Sequence, residues 1–80
     1  MKDKIEDLIQ QYTEAKQEIF SLLEELNQIN TTKLNYKEND SLREHKIKLE
    51  ESGYQKGLFV DDLKKLLGFL FRAKNGYNRF

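Results

Sequence analysis

The chain of 80 residues contains no cysteine, no proline and no tryptophan. Without cysteine, neither a disulfide nor a thiolate metal site adds stability to so small a domain. Without proline, and with its four glycines all beyond residue 52, the first fifty residues contain no strong helix breaker. The sequence therefore predicts one domain, residues 1–80, that is built from long helices.

Long apolar runs are also missing. The longest, Leu66 to Phe71, is far shorter than the roughly 20 residues that a membrane-spanning helix needs. The residues after Met1 lack the apolar region of a signal peptide. We therefore expect a cytoplasmic protein that does not act on a membrane.

Charged residues are abundant and balanced, with 14 basic and 14 acidic side chains. Residues 1–40 carry a net charge of −4 and residues 41–80 a net charge of +4, and every charged residue beyond Asp62 is basic. This asymmetry has two interpretations: an acidic helix packed antiparallel to a basic one, or a cationic surface for a nucleic acid or an acidic protein. The balanced total favours the first, because nucleic-acid binders usually carry a basic excess.

The clearest pattern lies in the first thirty residues, where apolar residues recur at alternating spacings of three and four. The pattern predicts a helix over residues 3–30 that is capped by Asp3, with Glu6 completing a capping box. Its apolar arc is about 180° wide and needs more than one neighbouring helix to cover it. The predicted core or oligomer residues of this helix are Ile5, Leu8, Tyr12, Ala15, Ile19, Leu22, Leu26 and Ile29.

A second helix follows a polar segment. Residues 31–40 are rich in turn formers and predict a loop, and the spacing of Ser41 and Glu44 predicts a capped helix start. This helix is predicted over residues 41–74, followed by a flexible tail at 75–80. Its predicted core residues are Val60, Leu63, Leu67 and Leu70, on a strip that also includes Phe59, Leu66 and Phe71.

Gly53 and Gly57 leave two architectures open. In one, the second helix ends near Ser52 and a third helix runs over residues 58–74. In the other, a single helix continues through both glycines, which then face the first helix. Asp61 and Asp62 favour a helix start at that point, and therefore the first architecture.

Matching the two segments favours the second architecture. If the chain folds back near residue 36, Gly57 faces Ala15 and Gly53 lies beside Ile19 and Phe20. Gly57 would then meet a small residue, and Gly53 would make room for two bulky ones. The predicted fold class is all-α, a long antiparallel helical hairpin that assembles as a dimeric four-helix bundle.

Catalytic and metal-binding patterns are weak. His45 is the only histidine and has no set of further ligands for zinc. No serine has a histidine at helical spacing, so no nucleophile–base pair is indicated. Neighbouring carboxylates, such as Asp61 and Asp62, point about 100° apart on a helix and form no acid–base pair. We expect no enzymatic activity, no cofactor and no metal.

Surplus apolar surface is the remaining functional signal. Leu58 and Phe69 fall on the side of the second helix opposite its core strip. They either become buried in a homodimer or form a docking ridge beside basic residues. The candidate partner-binding residues are Leu58, Lys65, Phe69, Arg72, Lys74 and Tyr77.

These features support three hypotheses. The first is a small regulatory protein, of the kind that phages and mobile elements encode, that forms a homodimer and binds and modulates, for instance inhibits, another protein. The second is a nucleic-acid-binding regulator that uses the basic C-terminal segment. The third is a structural oligomerisation module.

Overall fold

Two long antiparallel helices form the protein. The computed structural model describes residues 1–74, in which α1 spans Lys2–Asn27, a 3₁₀ turn spans Thr31–Lys33, and α2 spans Tyr36–Lys74. The predicted all-α helical hairpin is thereby confirmed for the single chain. Within residues 1–74 no helix is long and apolar enough to cross a membrane.

The ends of α1 differ from the prediction. The helix begins at Lys2 without a side-chain cap, so Asp3 lies inside the first turn. Its carboxylate there still interacts favourably with the positive end of the helix dipole. At the other end the helix stops at Asn27, and the amides of Gln28 and Ile29 donate to carbonyls of the last turn. Ile29 is therefore outside the helix, and the heptad pattern continues two residues beyond the last helical residue.

The connection is shorter than predicted, because α2 starts at Tyr36 and not at residue 41. Asn35 and Glu38 form a reciprocal capping box: the Glu38 amide donates to Asn35 Oδ1 at 2.8 Å, and the Asn35 amide donates to Glu38 Oε1 at 3.0 Å. This box has the same spacing as the one predicted at Ser41 but lies six residues earlier. Ser41 is an ordinary residue within α2.

The 3₁₀ turn is fixed by asparagine side chains at both of its flanks. Asn30 Oδ1 accepts from the backbone amide of Thr32 at 3.1 Å. Asn39 Nδ2, from the first turn of α2, donates to the Leu34 carbonyl at 3.3 Å. The loop is thus tied to the helix that follows it.

α2 is continuous through both glycines, which rules out the three-helix alternative for this structure. Gly53 is buried, and a Cβ at this position would stand 2.9 Å from ring atoms of Phe20 and 3.5 Å from Ile19 Cγ2. Glycine is needed here because the aromatic ring occupies the space of a side chain. The predicted juxtaposition of Gly53 with Ile19 and Phe20 is therefore present.

Gly57 has a different neighbour from the one predicted. A Cβ there would meet Lys16 Nζ at 3.1 Å and its side-chain methylenes beyond 3.4 Å, and Ala15 is not among the nearest atoms. The flexible lysine stem lies across the glycine, so contact here is made by a side chain that is able to move aside.

The core of the hairpin is small. Among residues 1–73, the buried apolar side chains are Ile5, Leu23, Val60 and Leu63. Leu23 is 8% exposed whereas its neighbour Leu22 is 42% exposed, so α1 turns a different edge of its wide apolar arc toward α2 than the predicted seam. A core of this size leaves much of the apolar surface of both helices uncovered.

Charge complementarity between the helices does not take the form of ion pairs. In the part of the chain that the structure describes, the one salt bridge joins Arg43 to Asp40 within α2, at 3.4 Å and well exposed. Such a surface pair contributes at most about 1 kcal/mol. Packing, and not ionic contact, therefore holds α1 against α2.

We predict that Asn35→Ala lowers the free energy of unfolding by about 1 kcal/mol, because it removes the acceptor for the Glu38 amide. The control is Ser41→Ala, which replaces an exposed residue inside the helix and should change stability by only a few tenths of a kcal/mol in the favourable direction. Urea denaturation followed by circular dichroism measures both. A larger loss for Ser41→Ala would place the helix start at residue 41.

We also predict opposite effects of alanine at the two glycines. Gly57→Ala should stabilise the protein by up to about 1 kcal/mol, because alanine favours the helix and Lys16 is free to move. Gly53→Ala should destabilise it by roughly 1 kcal/mol, because displacement of the Phe20 ring outweighs the same helical gain. Equal stabilisation by both substitutions, in the same denaturation experiment, would contradict the close approach at Gly53.

Candidate interaction surfaces

The two sides of the hairpin are not equivalent. On one of them, the covered side, Phe20 lies over Gly53 and packs edge to face on Tyr54, with ring centroids 5.8 Å apart. Lys16 covers Gly57 on the same side. These contacts pair residues of α1 and α2 whose numbers sum to 73 or 74, which fixes the register of the hairpin.

The opposite side, the open side, follows from that register and the heptad spacing. Seven residues complete two turns of a packed helix, so residues 8, 15 and 22 line one edge of α1 and residues 52, 59 and 66 line the facing edge of α2. The residue numbers in each facing pair, 8 with 66, 15 with 59 and 22 with 52, again sum to 74. The open side consists of Leu8, Ala15, Leu22, Ser52, Phe59 and Leu66.

The open side is apolar but incompletely buried. Leu22, Phe59 and Leu66 are 42%, 41% and 47% exposed, and the other three residues are half-buried. Tyr12 supports Phe59 from the seam, with ring centroids 4.8 Å apart and planes at 80°. The rings are thus held in place while one face of this surface stays in contact with water.

A lysine interrupts the core line of α2 next to this surface. Lys56 stands seven residues before Leu63 and seven after Leu49, yet it is half-buried. Its Nζ donates to Ser52 Oγ at 3.0 Å, which directs the ammonium group toward the open side. Within residues 1–74 no carboxylate pairs with it. An anionic group is therefore the natural complement at this point.

A second apolar surface runs along α2 on the side away from α1. At 100° per residue, Ile47, Tyr54, Leu58 and Phe69 all fall within about 60° of one another and roughly opposite Leu63, the most buried residue. All four are more than half exposed. We call this surface the outer face, and it extends over about 37 Å from residue 47 to residue 72 at 1.5 Å per residue.

The C-terminal end of the outer face is cationic and aromatic. Lys65 is exposed, and the guanidinium carbon of Arg72 lies 4.9 Å from the centroid of the Phe69 ring. Arg72 Nε also donates to the Gly68 carbonyl at 3.3 Å. The arginine therefore packs on the ring, which places its charge at this end of the outer face.

A shallow groove on the covered side is mixed in character. It is lined by Thr13, Lys16, Gly57, Asp61 and Lys64, together with parts of Tyr54, Leu58 and Val60. Oppositely charged side chains share its rim, so it does not form a single-sign site for an anion or a cation. Among the described residues, no three histidine or carboxylate side chains converge.

The predicted core residues occupy different environments. Ile5, Val60 and Leu63 are buried, whereas Leu22 and Ile29 are exposed in the single chain. The remaining ones are half-buried: Leu8, Tyr12, Ala15, Ile19, Leu26, Leu67 and Leu70. Phe59, Leu66 and Phe71, assigned by sequence to the core strip of the second helix, are exposed.

Four of the six predicted partner-binding residues lie on the outer face of α2. Leu58, Lys65, Phe69 and Arg72 are all exposed there. Lys74 is the last residue of α2, and Tyr77 lies outside the described residues. Sequence reasoning missed Ile47 and Tyr54, although their spacings of eleven and four residues from Leu58 contain that signal. Both fall on the outer face.

Comparison of the chain with protein-family models, curated proteins and solved structures finds no significant match. Functional inference therefore rests on the surfaces described above.

Proposed function

We propose that this protein is a non-enzymatic interaction module that assembles as a dimeric four-helix bundle and binds a partner protein through the outer face of α2. The observation that carries the proposal is the line of exposed apolar residues on that face. These residues recur along one face of α2, with Lys65 between Leu58 and Phe69, and apolar patches rimmed by polar residues mark protein-interaction sites.

The composition of the outer face fits a protein partner. Tyrosine, phenylalanine and arginine are the residue types that supply much of the binding energy at protein interfaces. Tyr54 and Phe69 are each anchored by a second side chain, Phe20 and Arg72. Anchored rings lose little conformational entropy on binding. A helix face of this kind suits an apolar groove on the partner.

The charges on this face indicate the rim of such a groove. Lys65 and Arg72 lie at the C-terminal end of the outer face and are exposed, so an acidic rim on the partner would complement them and speed association. If the partner also uses this groove for another contact, binding of α2 would block that contact and thereby regulate the partner.

Nucleic-acid binding is the weaker candidate. Lys64 shares its groove with Asp61, and Arg72 is engaged with the Phe69 ring, so the basic residues of α2 do not form one continuous cationic stripe. A nucleic-acid partner would also leave Ile47 and Leu58 without a role. The apolar line therefore favours a protein partner.

The test is affinity capture from cells that naturally produce the protein, with Leu58→Asp/Phe69→Asp as the outer-face variant. Ile29→Asp is the matched control, because it also places a carboxylate at an exposed apolar residue, outside both helices. We expect wild type and control to retain the same protein, and the outer-face variant to bind it at least about 30-fold more weakly.

Two outcomes contradict the proposal. Undiminished capture by the outer-face variant would remove the outer face from binding. Capture that disappears after nuclease treatment, with affinity that falls steeply as salt is raised, would instead establish nucleic-acid binding. An apolar protein contact should change little over the same range of salt.

A further inference from the structure

We infer that the open side is covered by a second copy of this chain, packed face to face with its loop at the opposite end of the bundle. The inference rests on the proposed dimeric assembly and specifies its interface and direction. α1 then lies antiparallel to α1 of the second copy, and α2 antiparallel to α2.

Under this symmetry, each layer of side chains on the open side is complementary in size to the layer that it meets in the second copy. A twofold axis through the level of Ala15 and Phe59 brings each of these residues next to its own copy. It also brings Leu8 and Leu66 of one chain level with Leu22 and Ser52 of the other. Small alanines then accompany large phenylalanines in the central layer, and each outer layer contains three leucines and one serine, as close packing requires.

The alternative twofold arrangement, with both loops at the same end, packs less evenly. It places Leu8 and Leu66 of both chains in one layer of four leucines, and Leu22 and Ser52 of both chains in another. The layer with two serines would then be underfilled while the leucine layer is crowded. Uneven layers cost stability through voids and overpacking, so the arrangement with loops at opposite ends is preferred.

Charges at the edges of the open side are also complementary to a second copy. Lys4 and Glu25 are exposed and stand at the same heptad position of α1, 21 residues apart. Reversal about Ala15 brings Lys4 of each chain beside Glu25 of the other. Two opposite-charge pairs form, one at each end of the interface.

The half-buried lysine finds its counterpart in the same way. Lys56 lacks a carboxylate partner within the described residues of its own chain and is directed toward the open side by Ser52. Reversal about Phe59 brings Asp62 of the second copy to the level of the Lys56 backbone, one turn from the ammonium group at Ser52, so the pair forms when the lysine side chain leaves Ser52. Asp62 is exposed in the single chain, and the pairing would offset the desolvation of the lysine.

The available area is sufficient for a stable dimer. From Lys4 to Glu25 the open side is about 32 Å long, and two adjacent helices are about 20 Å wide, which gives roughly 600 Å² per copy. The two copies together bury about 1,200 Å² or more, the lower bound of specific, stable interfaces.

A single introduced cysteine tests the direction of packing, because the natural chain has none. In Ala15→Cys the two thiols lie next to each other across the twofold axis, and a short bismaleimide should link nearly all of the protein as a covalent dimer. Thr13→Cys, on the covered side near Lys16, is the control and should remain unlinked. With both loops at the same end, the two positions 15 would lie diagonally across the bundle, with helix axes about 14 Å apart.

Charge reversal provides a second test that does not disturb the apolar layers. Lys4→Glu and Glu25→Lys should each raise the dissociation constant of the dimer roughly tenfold at low salt, and the double variant should restore it to within about threefold. Sedimentation equilibrium measures all three together with the wild type.

The outcomes separate this inference from the proposed function. A wild type that sediments as a folded monomer at tens of micromolar overturns the dimer, and a dimer whose Ala15→Cys variant does not link overturns the packing direction. The packing direction is also overturned if the double charge variant does not recover the dissociation constant of the wild-type dimer. If the dimer links as expected but no partner protein is captured, partner binding fails while the interface stands.

Discussion

Two helices packed side by side cover only one strip of each other, and this limit shapes the whole protein. α1 carries an apolar arc about half its circumference wide, and α2 carries apolar residues both on the open side and on the outer face. Among residues 1–73 the hairpin buries Ile5, Leu23, Val60 and Leu63 and leaves the other large apolar side chains partly or largely exposed. The apolar residues that the hairpin leaves uncovered recur at intervals of three, four and seven residues, so their exposure is a regular feature of both helices.

The glycines decide which side of the hairpin is covered. Gly53 lets the Phe20 ring settle against the backbone of α2, and the ring in turn packs on Tyr54. The same helix has no glycine on its other edge, which consists of residues 52, 59 and 66, and the large side chains of Phe59 and Leu66 project there. Close approach on the covered side and projection on the open side therefore have a common origin in the positions of two glycines.

Much of this could be predicted from the sequence, but not the choice between neighbouring strips. The long helices and the position of Leu58 and Phe69 opposite the core follow from periodicity. The packing of Gly53 against Ile19 and Phe20 follows from folding the chain back near residue 36. Periodicity does not say whether Leu22 or Leu23 faces the partner helix, since both belong to one wide apolar arc and only the register of packing separates them. The sequence predicts the start of α2 at Ser41, because residues 31–40 are rich in turn formers and Ser41 and Glu44 have capping-box spacing. The capping box of Asn35 and Glu38 instead starts the helix at Tyr36.

The position of Lys56 favours an assembly over a monomer as the explanation of this uncovered apolar surface. A leucine at this position would continue the line through Leu49, Leu63 and Leu70 and would enlarge a small core. A lysine there weakens the hairpin, and in helical bundles a single polar residue on a core line typically fixes register and oligomeric state at such a cost. It does so by requiring one partner arrangement in which its charge is matched. A monomer needs no such alignment. A bundle in which each layer must align with a layer of a second copy does need it.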